Sequence, residues 1–293
     1  MSLEIQHEDT CTNLGSLLPV PCVRVALWCC QRSLSTLFER CVAAGGGVEV
    51  FHEVYLAAFR YGPQHTRESR NYEIDDDFTF ENIGTMLCSS YRTKEAVFLK
   101  DMAYAVEGRF AEIPATFHHT FLIRSPAKVV RSYLKLLNRC AFDDRYRAEL
   151  RHKLPNSFRQ QCALYDFFSA SEDNRPLLVI DADDFATSPE TILRRYCHET
   201  KIPFQETMLK WESRQTIPEE WHASVILKKQ TQDVGSYERA LSSTGVQAPS
   251  CQADTLEDIL PDDWLQCVNE CQPFYDRLYA KRMCIPQVLL HDS

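Results

Sequence analysis

The chain has 293 residues, 44% hydrophobic and 25% charged, with nine Gly and fourteen Pro. That balance excludes intrinsic disorder, a collagen-like repeat and a coiled-coil rod, and the length suits one large α/β domain or two small ones. A net charge of -9 argues against nucleic-acid binding, which needs a dominant basic face, so an anionic ligand must meet a local basic cluster.

The amino-terminal MSLEIQHEDT shows no basic region leading into an apolar run, and no apolar stretch reaches the 18 or so residues of a membrane helix. A cytoplasmic protein without a membrane partner is expected. The thirteen cysteines are scattered, for example at Cys41, Cys88, Cys162 and Cys197, and read as reduced thiols. Cys29 and Cys30 are adjacent and Cys267 and Cys271 lie one helical turn apart, without the second pair a zinc site needs, so no metal is expected.

The first strong element is the short apolar run Val23 to Trp28, followed by Cys29-Cys30-Gln31-Arg32-Ser33-Leu34-Ser35-Thr36 and a helical pattern through Ala44. Gly45 to Gly47 mark the turn to a second strand at Val48 to Phe51. A third strand is expected at Ala96 to Leu99, just before Lys100 and Asp101. A fourth, Thr120 to Ile123, ends at Arg124-Ser125-Pro126, where Pro126 suits the first turn of a helix to about Arg139. A fifth, Pro176 to Ile180, precedes a helix from Ser188 to Thr200. Asp75 to Asp77 reads as a loop, Gln230 to Leu256 as a polar, mobile segment, and Pro261 to Lys281 as a last helix. Strands alternating with helices imply an α/β fold with a parallel sheet covered on both faces. No break separates two domains, so residues 1–293 are expected to form one, with a core at 22–213, a lid-like segment at 214–256 and a carboxy-terminal helix at 261–281.

In open α/β sheets ligands bind beyond the carboxyl ends of the strands, and anions bind where a loop feeds a helix amino terminus. The loop after Trp28 has neither the glycines nor the lysine of a nucleotide-triphosphate loop. It offers a guanidinium fork at Arg32 and hydroxyls at Ser33, Ser35 and Thr36. A second feature is Arg124 at the end of the fourth strand, with Ser132 two helical turns into the next helix. A third is the run Leu177 to Phe185, with Ser188-Pro189-Glu190 after it.

With these three features in this order, the chain resembles the sulfotransferase family over about residues 22 to 213. The resemblance implies a three-layer sulfotransferase fold related to P-loop nucleotide-binding proteins. It implies 3'-phosphoadenosine 5'-phosphosulfate (PAPS) as sulfuryl donor and a small-molecule acceptor, without metal. By similarity Arg32, Ser33, Leu34, Ser35 and Thr36 would hold the 5'-phosphosulfate and Arg124 and Ser132 the 3'-phosphate, while Lys228 and Lys229 would belong to a lid. Val50 to Tyr55 and Tyr61-Gly62-Pro63 look like a divergent branch. Gln31 replaces a common proline, and Lys100 is followed by Asp101 and Met102 where the phenol-type enzymes carry a histidine, so that base is not carried over.

Candidate bases come from the rim that the second and third strands share with the loop: Glu53 first, then Asp101 and His52, with Lys100 stabilising the sulfuryl or bridging oxygen. His118 and His119, at the far end of the fourth strand, read as structural. Lys128, Arg131, Lys135 and Arg139 form a basic stripe beside Ser132. Acceptor walls are expected from Tyr55 to Tyr91, Asn138 to Phe158 and the lid, and a homodimer is admitted as the assembly. Two alternatives stand: a non-catalytic nucleotide-binding or interaction protein on the same fold, and a haloacid-dehalogenase-type phosphatase built on Asp181-Ala182-Asp183.

Overall fold

The computed structural model describes residues 22–64, 73–140, 142–171, 175–247 and 260–284. The first ten residues, positions 65–72 of the expected acceptor segment and the 248–256 end of the lid-like segment lie outside them. Five strands form one parallel sheet: β1 (Val23–Cys29), β2 (Val48–His52), β3 (Ala96–Met102), β4 (His118–Ile123) and β5 (Leu178–Asp181). Their order is β2-β3-β1-β4-β5. The helices are α1 (Ser35–Ala44), α2 (Val54–Tyr61), α3 (Phe80–Cys88), α4 (Pro126–Arg139), α5 (Asp144–Ser169), α6 (Ala182–Thr187), α7 (Pro189–Thr200), α8 (Val225–Val234), α9 (Glu238–Ser242) and α10 (Asp262–Tyr279). Every residue of β3 and β4 is buried, as in a parallel sheet covered on both faces, and the burial is continuous along each strand rather than alternating. No helix among the described residues is long and apolar enough to cross a membrane.

The α/β architecture and the strand positions follow the sequence pattern, with informative differences. β3 runs on to Met102 because β1 pairs with it that far, with Lys100 opposite Leu27, Asp101 opposite Trp28 and Met102 opposite Cys29, while β2 pairs with it as far as Lys100. Lys100 and Asp101 are therefore buried strand residues and not a rim that follows the strand. The stretch expected to supply loop walls after Asn138 is mostly α5, which runs through Pro155. Its charged first half hides the helix in the sequence, and its second half packs Phe158, Cys162 and Leu164 inward. Gln161 of α5, itself buried, donates to the carbonyls of Trp28 (3.1 Å) and Leu122 (2.9 Å), tying the ends of β1 and β4 together. The polar segment from Gln230 contains the end of α8 and all of α9.

Candidate active site

Connections leaving β1 and β4 run toward opposite edges of the sheet, so their carboxyl ends form the crevice where α/β folds bind ligands. The loop from Cys30 to Leu34 closes on itself, with the Ser33 hydroxyl donating to the Cys30 carbonyl at 2.8 Å. Arg32 (φ 62°) and Leu34 (φ 66°) are both left-handed, a conformation that costs a non-glycine residue about 1–3 kcal/mol and gathers at functional sites. Leu34 is the N-cap of α1 and makes no side-chain cap. The first N–H groups of α1, beside Ser35 and Thr36, therefore face the loop with the positive end of the helix dipole behind them.

Two arginines converge there. Arg32 Nε donates to Ser132 Oγ of α4 at 3.0 Å and its Nη1 to the Ser236 carbonyl at 2.7 Å. Arg124 Nη1 donates to the Arg32 carbonyl at 2.7 Å, while its Nε is buried without an acceptor. Burial lowers the pKa of both guanidinium groups. Neither has a carboxylate at ion-pair distance among the described residues, and Asp183 acts on Arg124 only from farther away. These two partly buried cations have no carboxylate beside them among the described residues and Arg124 Nε is left free to donate, so the pair can take an anion.

The neighbouring strand ends carry a self-compensated cluster. Glu53, left-handed at φ 53°, joins β2 to α2, and its Oε1 lies 2.5 Å from Lys100 Nζ. Glu39 of α1 lies 3.6 Å from Lys100 Nζ and 2.7 Å from His52 Nδ1. Tyr237 donates to Glu53 Oε2 at 2.5 Å, and the Lys100 ammonium lies over its ring. Burial alone would raise the Glu53 pKa, but Lys100 and then His52 outweigh it and hold the carboxyl at about 2. Lys100 goes the other way: Glu53 and Glu39 overcome its burial and raise it. Asp101 receives N–H bonds from Tyr55 (2.6 Å), Leu56 (3.1 Å) and Met102 (2.8 Å), so it, rather than Glu53, caps α2. Burial and the Glu53 charge push it up to about 8, against the Met102 and Tyr55 donors and the Lys100 charge.

Of the lid lysines, Lys228 is held by the carbonyls of Pro218 and Trp221 and Lys229 is exposed. Ser236 and Tyr237 make the contacts to the arginine and the carboxylate instead. They are placed by Gly235 at φ 66°, where a Cβ would stand 2.7 Å from an Arg139 nitrogen. Arg139 in turn bonds the carbonyls of Val234 and Gly235 and the Glu238 carboxylate. His119 accepts from the Trp28 indole and His118 contacts the Pro176 carbonyl, both structural. Asp181 accepts from the N–H groups of Asp183 and Asp184 and from Tyr275 OH, so the Asp181-Ala182-Asp183 run is a helix cap at the sheet edge and not a phosphatase nucleophile. The cysteines among the described residues are free thiols.

The family profile described as "Sulfotransferase domain" matches residues 23–282. The chain belongs to the sulfotransferase family. It is similar to Branched-chain-amino-acid aminotransferase-like protein 2 of Arabidopsis thaliana, 27% identical over 271 residues that cover 86% of this chain and 40% of that protein. It is also similar to protein 1 of that name, 28% identical over 210 residues, 68% of this chain and 34% of that one. The chain thus spans well under half the length of these curated relatives. Among solved structures, the sulfotransferase domain from the curacin biosynthetic pathway superposes with a TM-score of 0.50 at 12% identity, covering 85% of this chain and 98% of that one. At that identity the likeness shows a common sulfotransferase fold.

Sequence reasoning missed Glu39, Tyr237 and Ser236. Glu39 left one trace, an acid beside Phe38 on the apolar side of α1. Tyr237 left none, because what matters about it is a contact 184 positions away along the chain.

Proposed function

We propose that this sulfotransferase-family protein transfers a sulfuryl group from PAPS to a small-molecule acceptor. The observation that carries the reading is the partly buried Arg32–Arg124 pair at the uncapped start of α1, without a carboxylate at ion-pair distance among the described residues and with Arg124 Nε unpartnered. PAPS supplies the activated sulfuryl group and two phosphates. Arg32, Ser33, Ser35, Thr36 and the α1 N–H groups hold the 5' end, and Arg124 and Ser132 hold the 3'-phosphate. Lys228 and Lys229 do not contribute in the conformation described.

The chemistry is an in-line displacement driven by positioning and charge stabilisation. The acceptor oxygen bonds to sulfur, the electron pair of the broken S–O bond leaves with the nucleotide, and the acceptor proton passes to Glu53. In the free protein Glu53 is too acidic for that task. Lys100 controls it: once the ammonium turns to the sulfuryl or bridging oxygen, burial is left dominant and raises Glu53 toward the range of a useful base. A second reading for the base is His52, because Glu39 fixes its Nδ1 while Nε2 is buried and unpartnered.

Isothermal titration with 3',5'-adenosine bisphosphate tests the nucleotide site, and absence of binding would sink the proposal. An acceptor screen with labelled PAPS then separates an enzyme from a binding protein on the same fold. Single-turnover rates decide the base: Glu53→Gln should bind nucleotide normally and lose about 10² to 10⁴ in rate. The same loss in His52→Gln with Glu53→Gln unaffected would move the role to His52.

A further inference from the structure

The turn between α8 and α9 touches both halves of the site through two consecutive residues. The Ser236 carbonyl accepts from Arg32 Nη1 at 2.7 Å, and the Tyr237 hydroxyl donates to Glu53 Oε2 at 2.5 Å. Lys100 Nζ stands 5.3 Å from the centre of the Tyr237 ring, and that ring lies perpendicular to His52 with 5.1 Å between centres. The end of α4 holds the turn from outside. Arg139 donates to the carbonyls of Val234 (3.2 Å) and Gly235 (2.8 Å) and to the Glu238 carboxylate, and the Cys140 thiol donates to the Val234 carbonyl.

Both contacts take up atoms that the proposed reaction needs. A guanidinium presents two edges to an anion that it binds through two hydrogen bonds, Nε with Nη2 and Nη1 with Nη2. Ser132 Oγ holds Arg32 Nε and the Ser236 carbonyl holds Nη1, so each edge has one donor taken. The serine hydroxyl can turn and donate to a phosphate, whereas a carbonyl only accepts and presents its negative end to the incoming anion. Glu53 has one oxygen on Lys100 and the other on Tyr237, so neither is unclaimed for an acceptor hydroxyl.

We propose that the 234–238 turn is an autoinhibitory strap, and that the nucleotide displaces it. The proposal rests on the sulfotransferase reading. Arg124 Nε, which has no acceptor, and the first N–H groups of α1 meet the nucleotide while the strap is still in place. The phosphate at the 5' end then takes Arg32 from the Ser236 carbonyl. Tyr237 is the next residue, so its hydroxyl leaves Glu53 in the same movement, and donor binding uncovers the carboxylate for the acceptor. A strap of this kind weakens the apparent affinity by the fraction of molecules in which it is open, so loosening it tightens binding. A lid that closes over the nucleotide has the opposite sign.

The test uses the full chain and 3',5'-adenosine bisphosphate. Calorimetric binding to the wild type comes first and reports on the sulfotransferase reading alone; no binding there sinks that reading and the strap with it. Gly235 stands at φ 66°, where a Cβ would lie 2.7 Å from an Arg139 nitrogen. Gly235→Ala therefore strains the strapped form, keeps the charge and leaves Arg32 and Glu53 in place, and it should bind the bisphosphate about three- to tenfold tighter. Glu238→Gln, which loosens the grip of Arg139, should act in the same direction by less. A second measurement needs no variant. The amides of Gly235, Ser236 and Glu238 are bonded to the carbonyls of Gln232, Thr231 and Gly235, and in the wild type their hydrogen exchange should become faster when the bisphosphate binds. Unchanged or weaker binding by Gly235→Ala, or slower exchange of the turn in the bound wild type, would overturn the proposal.

Discussion

The two halves of the strand-end rim treat charge in opposite ways. At the ends of β1 and β4, Arg32 and Arg124 are partly buried against carbonyls and a hydroxyl, with no acid at ion-pair distance among the described residues. At the ends of β2 and β3, Lys100 is enclosed by Glu53 and Glu39, and His52 rests on Glu39. The first arrangement leaves positive charge without an acid beside it, while the second pairs its own charges. On the proposed reading the contrast has a use: the donor meets a ready-made site while the groups around Glu53 stay inert until it arrives.

Lys100→Met is the strongest way to break this contrast. It leaves the buried Glu53 carboxylate without its lysine and Glu39 with His52 alone, and should destabilise the protein by about 3–5 kcal/mol in denaturant titrations. Adding Glu53→Gln should recover much of that loss. A single variant as stable as the wild type would mean that the cluster is not held by its charges.

Arg124→Ala should do the reverse. Nucleotide affinity falls by about 2–3 kcal/mol in calorimetric titration, while the melting temperature stays level or rises, because a partly buried charge with no acid at ion-pair distance among the described residues is removed. Unchanged affinity would take the 3'-phosphate away from Arg124.

The smallest effect is in the pH dependence of stability. Asp101 has a folded pKa of about 8 against an ordinary 3.8, so its contribution is complete below pH 3.8 and is lost as pH rises through 8. Glu53 has the opposite sign: held at about 2 against 4.5, it contributes above pH 4.5 and loses that contribution as pH falls toward 2. Stability should therefore be greater at pH 6 than at pH 8, and Asp101→Asn should flatten that slope. Thermal melts in matched buffers measure it, and an equal slope in the variant would return Asp101 to an ordinary ionised helix cap.

Much of the rim could be read locally. Arg32 and Arg124 each follow a β-branched apolar run and precede a helix start, so strand, loop and helix dipole were legible from neighbours in the chain. The helix expected from Pro126 to about Arg139 is α4, because Pro126 opens it and the apolar spacing carries it. α5 was not legible, since Pro155 and a charged first half break the pattern and its helix depends on packing against β4 and α10.

By itself the sequence determined the alternation of buried strands with helices, the two arginines at strand ends and the family they announce, because each is a matter of pattern within about a dozen residues. Only the tertiary structure decided that β3 continues through Lys100 and Asp101, that Asp101 caps α2 while Glu53 binds the lysine, and that Tyr237 reaches Glu53. Those outcomes depend on which groups burial forces together: a charge removed from water takes the partner the fold brings within reach, and that partner is set by packing rather than by proximity along the chain.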